Sequence, residues 1–262
     1  MKKPTSTDNR RLINRASISL FYVGILLLWQ FVTAILETPN YILPSPYAIW
    51  LELIDSFPLL LMHARITVIE VLAGFSIALF LSVFLSIAMD RYQYIKELLY
   101  PMMVITQTVP IMAIAPLMMI WFGFGLTPKI IVVVLVCFFP IAVSLTEGLS
   151  SVDPELIDLM KTMDASESQI FLKCKLPASM PSFFAGLRIA ATYSVMGAVV
   201  SEWVGAQEGL GIFMTRVMKS YRTPALFAVI IFIIAITLIF VAVIDAIGRK
   251  AMPWTNERRS LR

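Results

Sequence analysis

The sequence predicts an all-α membrane protein of about six transmembrane helices, with a cytoplasmic helix between the fourth and the fifth. Three observations carry this. Of 262 residues, 59% are hydrophobic and 15% charged, with a mean hydropathy of +0.84. That is more apolar surface than a soluble fold can hide and too little charge for a disordered chain. The apolar residues gather in runs of about 20, the length that crosses a ~30 Å hydrocarbon core. The polar residues gather between those runs.

The first run, 16–36, is followed by Glu37-Thr38-Pro39 and lacks a small-residue cleavage pattern, so it is expected to stay as an anchor. The connection 37–64 carries Leu43-Pro44-Ser45-Pro46 and then Trp50. Pro46 suits the first turn of a short helix lying on the outer membrane surface, with Trp50 at the interface. The second run is 66–89. The third, 98–122, contains Pro101, Pro110 and Pro116, whose freed backbone groups call for protein neighbours, so this span is expected to be buried in a bundle. The fourth, 130–145, is short and ends near Glu147; the fifth is 183–204 and the sixth 225–244. The organisation is then a tail at 1–15, a transmembrane domain at 16–247 with a polar loop at about 148–181, and a tail at 248–262.

Six spans put both termini on one side. Assigning the loops alternately places 16 of the 21 Lys and Arg residues on that side and leaves Arg65, Lys129, Arg216, Lys219 and Arg222 on the other. The positive-inside rule makes the rich side cytoplasmic.

The loop 148–181 is the longest polar insertion. Asp153 before Pro154 is a helix start, an N-cap carboxylate ahead of a first-turn proline. Leu156, Leu159, Met160 and Met163 recur at three- and four-residue spacing, with Glu155, Asp158, Lys161 and Thr162 opposite. A turn at Asp164-Ala165-Ser166 leads to a second helical stretch through Ile170 and Phe171 to Leu176-Pro177. Two readings of the first helix stand open: one lying on the membrane surface, and one offering its apolar face to a partner. Its polar face mixes acids with bases, which anionic lipid does not favour.

Several chemistries are excluded. The net charge of +4 and pI near 9.1 come from short basic clusters between apolar runs, not a basic stripe with aromatics, so no nucleic-acid partner is expected. Cys137 and Cys174 form no C-x-x-C pair and are read as reduced. A single histidine, His63, cannot build a histidine metal cluster, and no cofactor motif is present. No G-x-x-x-x-G-K-[ST] loop occurs, so energy from ATP must enter through another subunit and no catalytic residue is assigned. Glu70, Arg188 and Glu202 sit near span ends, where solvation accounts for them. The glycines of Ala206-Gln207-Glu208-Gly209-Leu210-Gly211 read as a turn outside the membrane. Gln107 and Thr108 are polar within an apolar stretch, and either satisfy carbonyls freed by Pro110 or face a water-filled passage. Ser194, Gly197 and Ala198 permit close packing at such a passage.

The segment from Asp158 to Ser166, continued by Gln169-Ile170-Phe171 and Lys175-Leu176-Pro177, resembles the "EAA" coupling loop of binding-protein-dependent ABC importer permeases. Asp158 stands for the glutamate, Leu159 and Met160 for the alanines, and Asp164 for the glycine; Asp tolerates the left-handed conformation that such a glycine allows. Leu43-Pro44-Ser45-Pro46, Gln107-Thr108-Val109-Pro110, Trp121-Phe122-Gly123-Phe124-Gly125 and Ser201-Glu202-Trp203-Val204-Gly205-Ala206 are similar to the nitrate/sulfonate/taurine permease group. The stretches 129–140 and 191–199 look most similar to its thiamine pyrimidine-precursor branch. The resemblance implies a type I importer permease fold and a multi-pass protein of the bacterial inner membrane. It implies a homodimer with two ATP-binding subunits and an extracytoplasmic solute-binding protein, surrounded by membrane lipid. It places ATPase coupling on Leu156, Asp158, Leu159, Met160, Met163 and Asp164. The translocation path is expected at Gln107, Thr108, Ser194 and Gly197. The solute would be a thiamine pyrimidine precursor, with sulfonate, taurine or nitrate as the alternative; an ATP-independent secondary transporter is a further one, which lacks the expected midplane carboxylates.

Overall fold

The computed structural model describes the backbone of residues 6–254 and the side chains of Ser17 and of residues 20–254. Lys2, Lys3, Arg258, Arg259 and Arg262 lie outside the described residues, as do the side chains of Arg10, Arg11 and Arg15 and much of the two expected tails. Every regular element among the described residues is helical. The described residues form two compact units, residues 6–59 with 214–231 and residues 60–213 with 232–254.

In the first unit, α1 (Ser6–Ile35) carries an apolar stretch at Leu20–Ile35. The following α2 (Pro46–Asp55) starts as the sequence predicts, with Pro46 in the first turn and the Ser45 hydroxyl accepting the Ala48 amide at 3.2 Å. Gln30 accepts the Tyr47 amide at 3.1 Å, fixing α2 to α1. Arg222 pairs with Glu52 at 2.7 Å, and the Thr223 hydroxyl donates to the Tyr41 carbonyl. Trp50 is exposed.

The second unit is organised around α6 (Leu126–Ser150), packed against α9 (Leu176–Glu202) and α3 (Phe57–Arg91). Small residues set these approaches. A Cβ on Gly74 would meet Val133 at 2.5 Å, and one on Gly186 would meet the Pro140 carbonyl at 2.6 Å. Without a hydrophobic driving force between helices in lipid, such backbone proximity and interhelical hydrogen bonds hold spans together. Ser82 and Ser86 of α3 donate to the carbonyls of Phe138 and Ala142, each at 2.9 Å. Val71, Phe75, Val133, Ile141, Leu187 and Val195 fill the core, with α11 (Thr223–Ala251) contributing Ile244.

The third span departs from expectation. It is two helices, α4 (Gln93–Gln107) and α5 (Ile111–Phe122), bent by 103° across Thr108-Val109-Pro110. Pro110 lacks an amide, and a residue before proline avoids the helical region, here the β-branched Val109. Nor is this pair buried in the chain: Ile105, Ile120 and Trp121 are exposed, Trp121 to 66%. Gly123 (φ 76°) and Gly125 (φ 134°) turn the chain from α5 into α6. The fourth span is longer than the apolar run and reaches Ser150. The fifth is the end of one helical path from Glu167 to Glu202.

Candidate functional site

At one end of the second unit, Asp153 and Pro154 open α7 (Pro154–Thr162), with the Asp153 carboxylate accepting the Glu155 amide at 2.9 Å. The helix closes in a Schellman arrangement: the Ala165 amide donates to the Met160 carbonyl at 3.1 Å and the Asp164 amide to that of Lys161 at 3.0 Å. Asp164 holds φ 57° at the position glycine usually takes. Ser166 and Gln169 then form a reciprocal capping box that starts α8 (Glu167–Ile170). A π-helical turn, Phe171–Lys175, joins α8 to α9. The corner between α7 and α8 is therefore fixed by backbone caps on both sides. No residue of α7 is buried; Leu156, Leu159 and Met163 are exposed, Leu159 to 56%, and Met160 is half-buried. Asp158 lies opposite and faces Lys161 at 3.7 Å.

Ion pairs tie this corner to α3: Lys175 to Asp90 at 2.8 Å and Arg91 to Glu167 at 2.9 Å. The Lys96 ammonium donates to Ser150 nearby. Asp90 and Glu70 lie on α3 about 30 Å apart at 1.5 Å per residue, so Glu70 sits roughly one hydrocarbon thickness from the corner.

At that opposite end the structure corrects the sequence reading of Glu70 and Glu202 as solvated groups. Neither carboxylate is exposed. Glu70 pairs with the buried Lys129 at 2.7 Å. Glu202 accepts the Thr67 hydroxyl at 2.6 Å and the Gly211 amide. Thr67 in turn accepts the Leu210 amide at 2.9 Å, and Nδ1 of His63 accepts the Gly209 amide at 3.1 Å. The turn before α10 (Leu210–Lys219) is thus clasped to α3 by side chains. Gly209 (φ 129°) and Gly211 have no room for a Cβ against the Glu202 carboxylate. Sequence reasoning missed this clasp; its one signal was the close spacing of Glu202, Gly209 and Gly211.

Between these ends a cavity of about 520 Å³ opens beside the α4–α5 break, near the middle of α6 and α9. Gln107 lines it, together with Trp121, Phe139, Tyr193 and Met196. The Gln107 amide makes no hydrogen bond among the described residues. The Thr108 hydroxyl donates to the Ile105 carbonyl at 2.8 Å, closing the end of α4. Neither Ser194 nor Gly197 lines the cavity: Ser194 is fully buried with its hydroxyl on the Ala191 carbonyl of its own helix, and Gly197 faces α6, where a Cβ would meet Val136 at 2.8 Å. Gly197→Leu is accordingly expected to force α9 off α6 and destabilise the fold by about 1–3 kcal/mol. Denaturant unfolding in detergent checks this, and an unchanged midpoint would contradict the packing argument.

A family model described as "Binding-protein-dependent transport system inner membrane component" matches residues 78–253. A probable ABC transporter permease protein of Haemophilus influenzae is 36% identical, over 86% of this chain and 93% of its own length. The formylaminopyrimidine transport permease protein ThiX of Halalkalibacterium halodurans is 34% identical, over 92% and 96%. A putative aliphatic sulfonates transport permease protein, SsuC of Bacillus subtilis, is 28% identical, over 88% and 85%. Among solved structures, the crystal structure of an amino acid ABC transporter with histidines aligns with a TM-score of 0.62 at 15% identity, covering 76% of this chain and 97% of that one. That likeness concerns the fold alone.

Proposed function

Because the chain belongs to the binding-protein-dependent inner membrane components, the ABC importer permeases with the type I fold, we propose that it imports a thiamine pyrimidine precursor, working as a homodimer on two ATP-binding subunits beneath an extracytoplasmic solute-binding protein. The role is transport, without catalysis in this chain. The observation that carries the substrate reading is the 34% identity to a formylaminopyrimidine permease along nearly the whole of both chains. The sulfonate alternative has support from a relative at 28%.

The exposed apolar face of α7 supports a seat for Leu156, Leu159, Met160 and Met163 on the ATP-binding subunit, with Asp158 on the opposite face and Asp164 holding the corner. A helix in a groove is a recurrent way to couple two chains. Gln107 and the Thr108 break flank the proposed path, while Ser194 and Gly197 set the packing behind it. Uptake into proteoliposomes holding the assembled complex tests the substrate reading. ATP-dependent accumulation of a formylaminopyrimidine is expected, and accumulation of taurine in its place would overturn it.

Orientation is proposed with both termini in the cytoplasm, on the charge asymmetry of the loops. In a background lacking the buried Cys137 and Cys174, single cysteines at Ser6 and Asn256 should react with an impermeant maleimide only from the cytoplasmic side. Those at Tyr47 and Lys219 should react only from outside. Labelling of Ser6→Cys in intact cells would reverse the topology.

A further inference from the structure

We propose that the cavity beside the α4–α5 break is a selective station for an uncharged amino-heteroaromatic solute, and that the Gln107 amide is its specificity-determining group, reading an N=C–NH2 edge. The inference rests on the aminopyrimidine reading above and adds that this subunit discriminates among solutes itself.

Charge is the first argument. No Asp, Glu, Lys, Arg or His is among the residues lining the cavity. The charged groups within the second unit's spans are committed elsewhere: Lys129 to Glu70, Glu202 to Thr67 and Gly211, and Arg188 to Asp245 at 2.7 Å. A sulfonate or nitrate entering here would lose its hydration without meeting a fixed cation, which is costly. The start of α5 offers only a partial positive charge of about +0.5. The cavity therefore disfavours anions and admits neutral solutes.

Shape and side-chain chemistry are the second. Trp121, Phe139 and Tyr193 supply aromatic surface to a space of about 520 Å³, within the ~300–1,000 Å³ range of small-molecule sites. Aromatic faces stack on flat heterocycles with little regard to their substituents. Met118 and Met196 add sulfur, which packs well against rings. The ring faces and the sulfurs hold a planar ring and do not distinguish one from another.

Discrimination needs a directional group, and Gln107 is the amide in the lining. Its neighbours' hydroxyls are engaged, Thr106 on the Met103 carbonyl at 2.7 Å and Thr108 on that of Ile105. The carboxamide has both a donor and an acceptor to offer. Its oxygen would accept from an exocyclic amino group while its NH2 donates to the adjacent ring nitrogen, with the same donor and acceptor roles as when Gln reads the adenine amino group and N7. A ring lacking the amino group forgoes the hydrogen bond to the amide oxygen, so the site holds it less tightly.

Saturation-transfer NMR on the detergent-solubilised permease–ATPase complex, without binding protein, tests this with the wild-type chain itself. 4-Amino-2-methylpyrimidine is expected to bind at least tenfold more tightly than 2-methylpyrimidine, and taurine is expected neither to bind nor to compete. Gln107→Leu should abolish the difference between the two pyrimidines while retaining their common, stacking-dependent affinity. Equal binding of both pyrimidines to wild type, or an undiminished preference in Gln107→Leu, would overturn the assignment. If the full complex accumulates aminopyrimidine yet Gln107→Leu keeps the preference, the assignment alone falls. If the wild-type complex accumulates taurine and no pyrimidine, the substrate reading falls and the assignment with it.

Discussion

Aspartate in place of Met160 is expected to leave the permease inserted in the membrane and stripped of its ATP-binding subunit. Met160 is the half-buried member of the apolar row on α7, flanked by Leu156, Leu159 and Met163. Seated in a groove, it would lose its contact with water on binding. A carboxylate there would be buried without a counter-charge, at a cost of about 3–5 kcal/mol, and each 1.4 kcal/mol is tenfold in affinity. Recovery of the ATPase on an affinity-tagged permease should therefore fall more than ~100-fold. Lys161→Ala, on the opposite face, should leave recovery intact. Normal co-purification with Met160→Asp would remove α7 from the interface. The same substitution also separates the two readings of α7 left open by the sequence, since a helix lying on lipid would tolerate recovery of the ATPase.

Removing Lys129 is expected to be the most damaging single change to the fold. Lys129→Met leaves Glu70 buried without a cation, for a loss of about 3–5 kcal/mol. Replacing both residues, as Glu70→Leu with Lys129→Met, should restore most of that loss, because a well-packed apolar pair often matches a buried ion pair. A double-mutant cycle on denaturant unfolding in detergent measures the coupling. Equal midpoints for wild type and Lys129→Met would show that the pair is not desolvated.

Local features were legible in the sequence and distant pairings were not. Asp153-Pro154 and the three- and four-residue spacing that follows defined α7, and Pro46 marked the start of α2, because helix-start signals and amphipathicity act within one or two turns. The turn at Asp164 was readable for the same reason, and its left-handed conformation from the resemblance to a loop with glycine at that position. The three prolines of the third span announced trouble without telling which would break the helix. Pro101 and Pro116 are carried inside helices, and Pro110, behind two β-branched residues, is where the chain bends. The Glu70–Lys129 pair joins residues far apart in sequence, so no window on either reveals the other. Gln107 could be singled out as polar, but its separation in role from Thr108, Ser194 and Gly197 depends on which helix each residue faces.

The π turn at Phe171–Lys175 has a consequence in angular phase. A regular α-helix advances each residue by about 100°, and a π turn is equivalent to one residue let into that count. Glu167 stands before it and Lys175 is its last residue, yet both reach the same end of α3, at Arg91 and Asp90. Deleting one residue from the turn would restore an unbroken helix and rotate everything before it by that angle about the axis of α9, carrying the α7 corner round with it. The extra residue thus sets the compass bearing of the corner relative to the span, independently of how far the corner lies from the membrane.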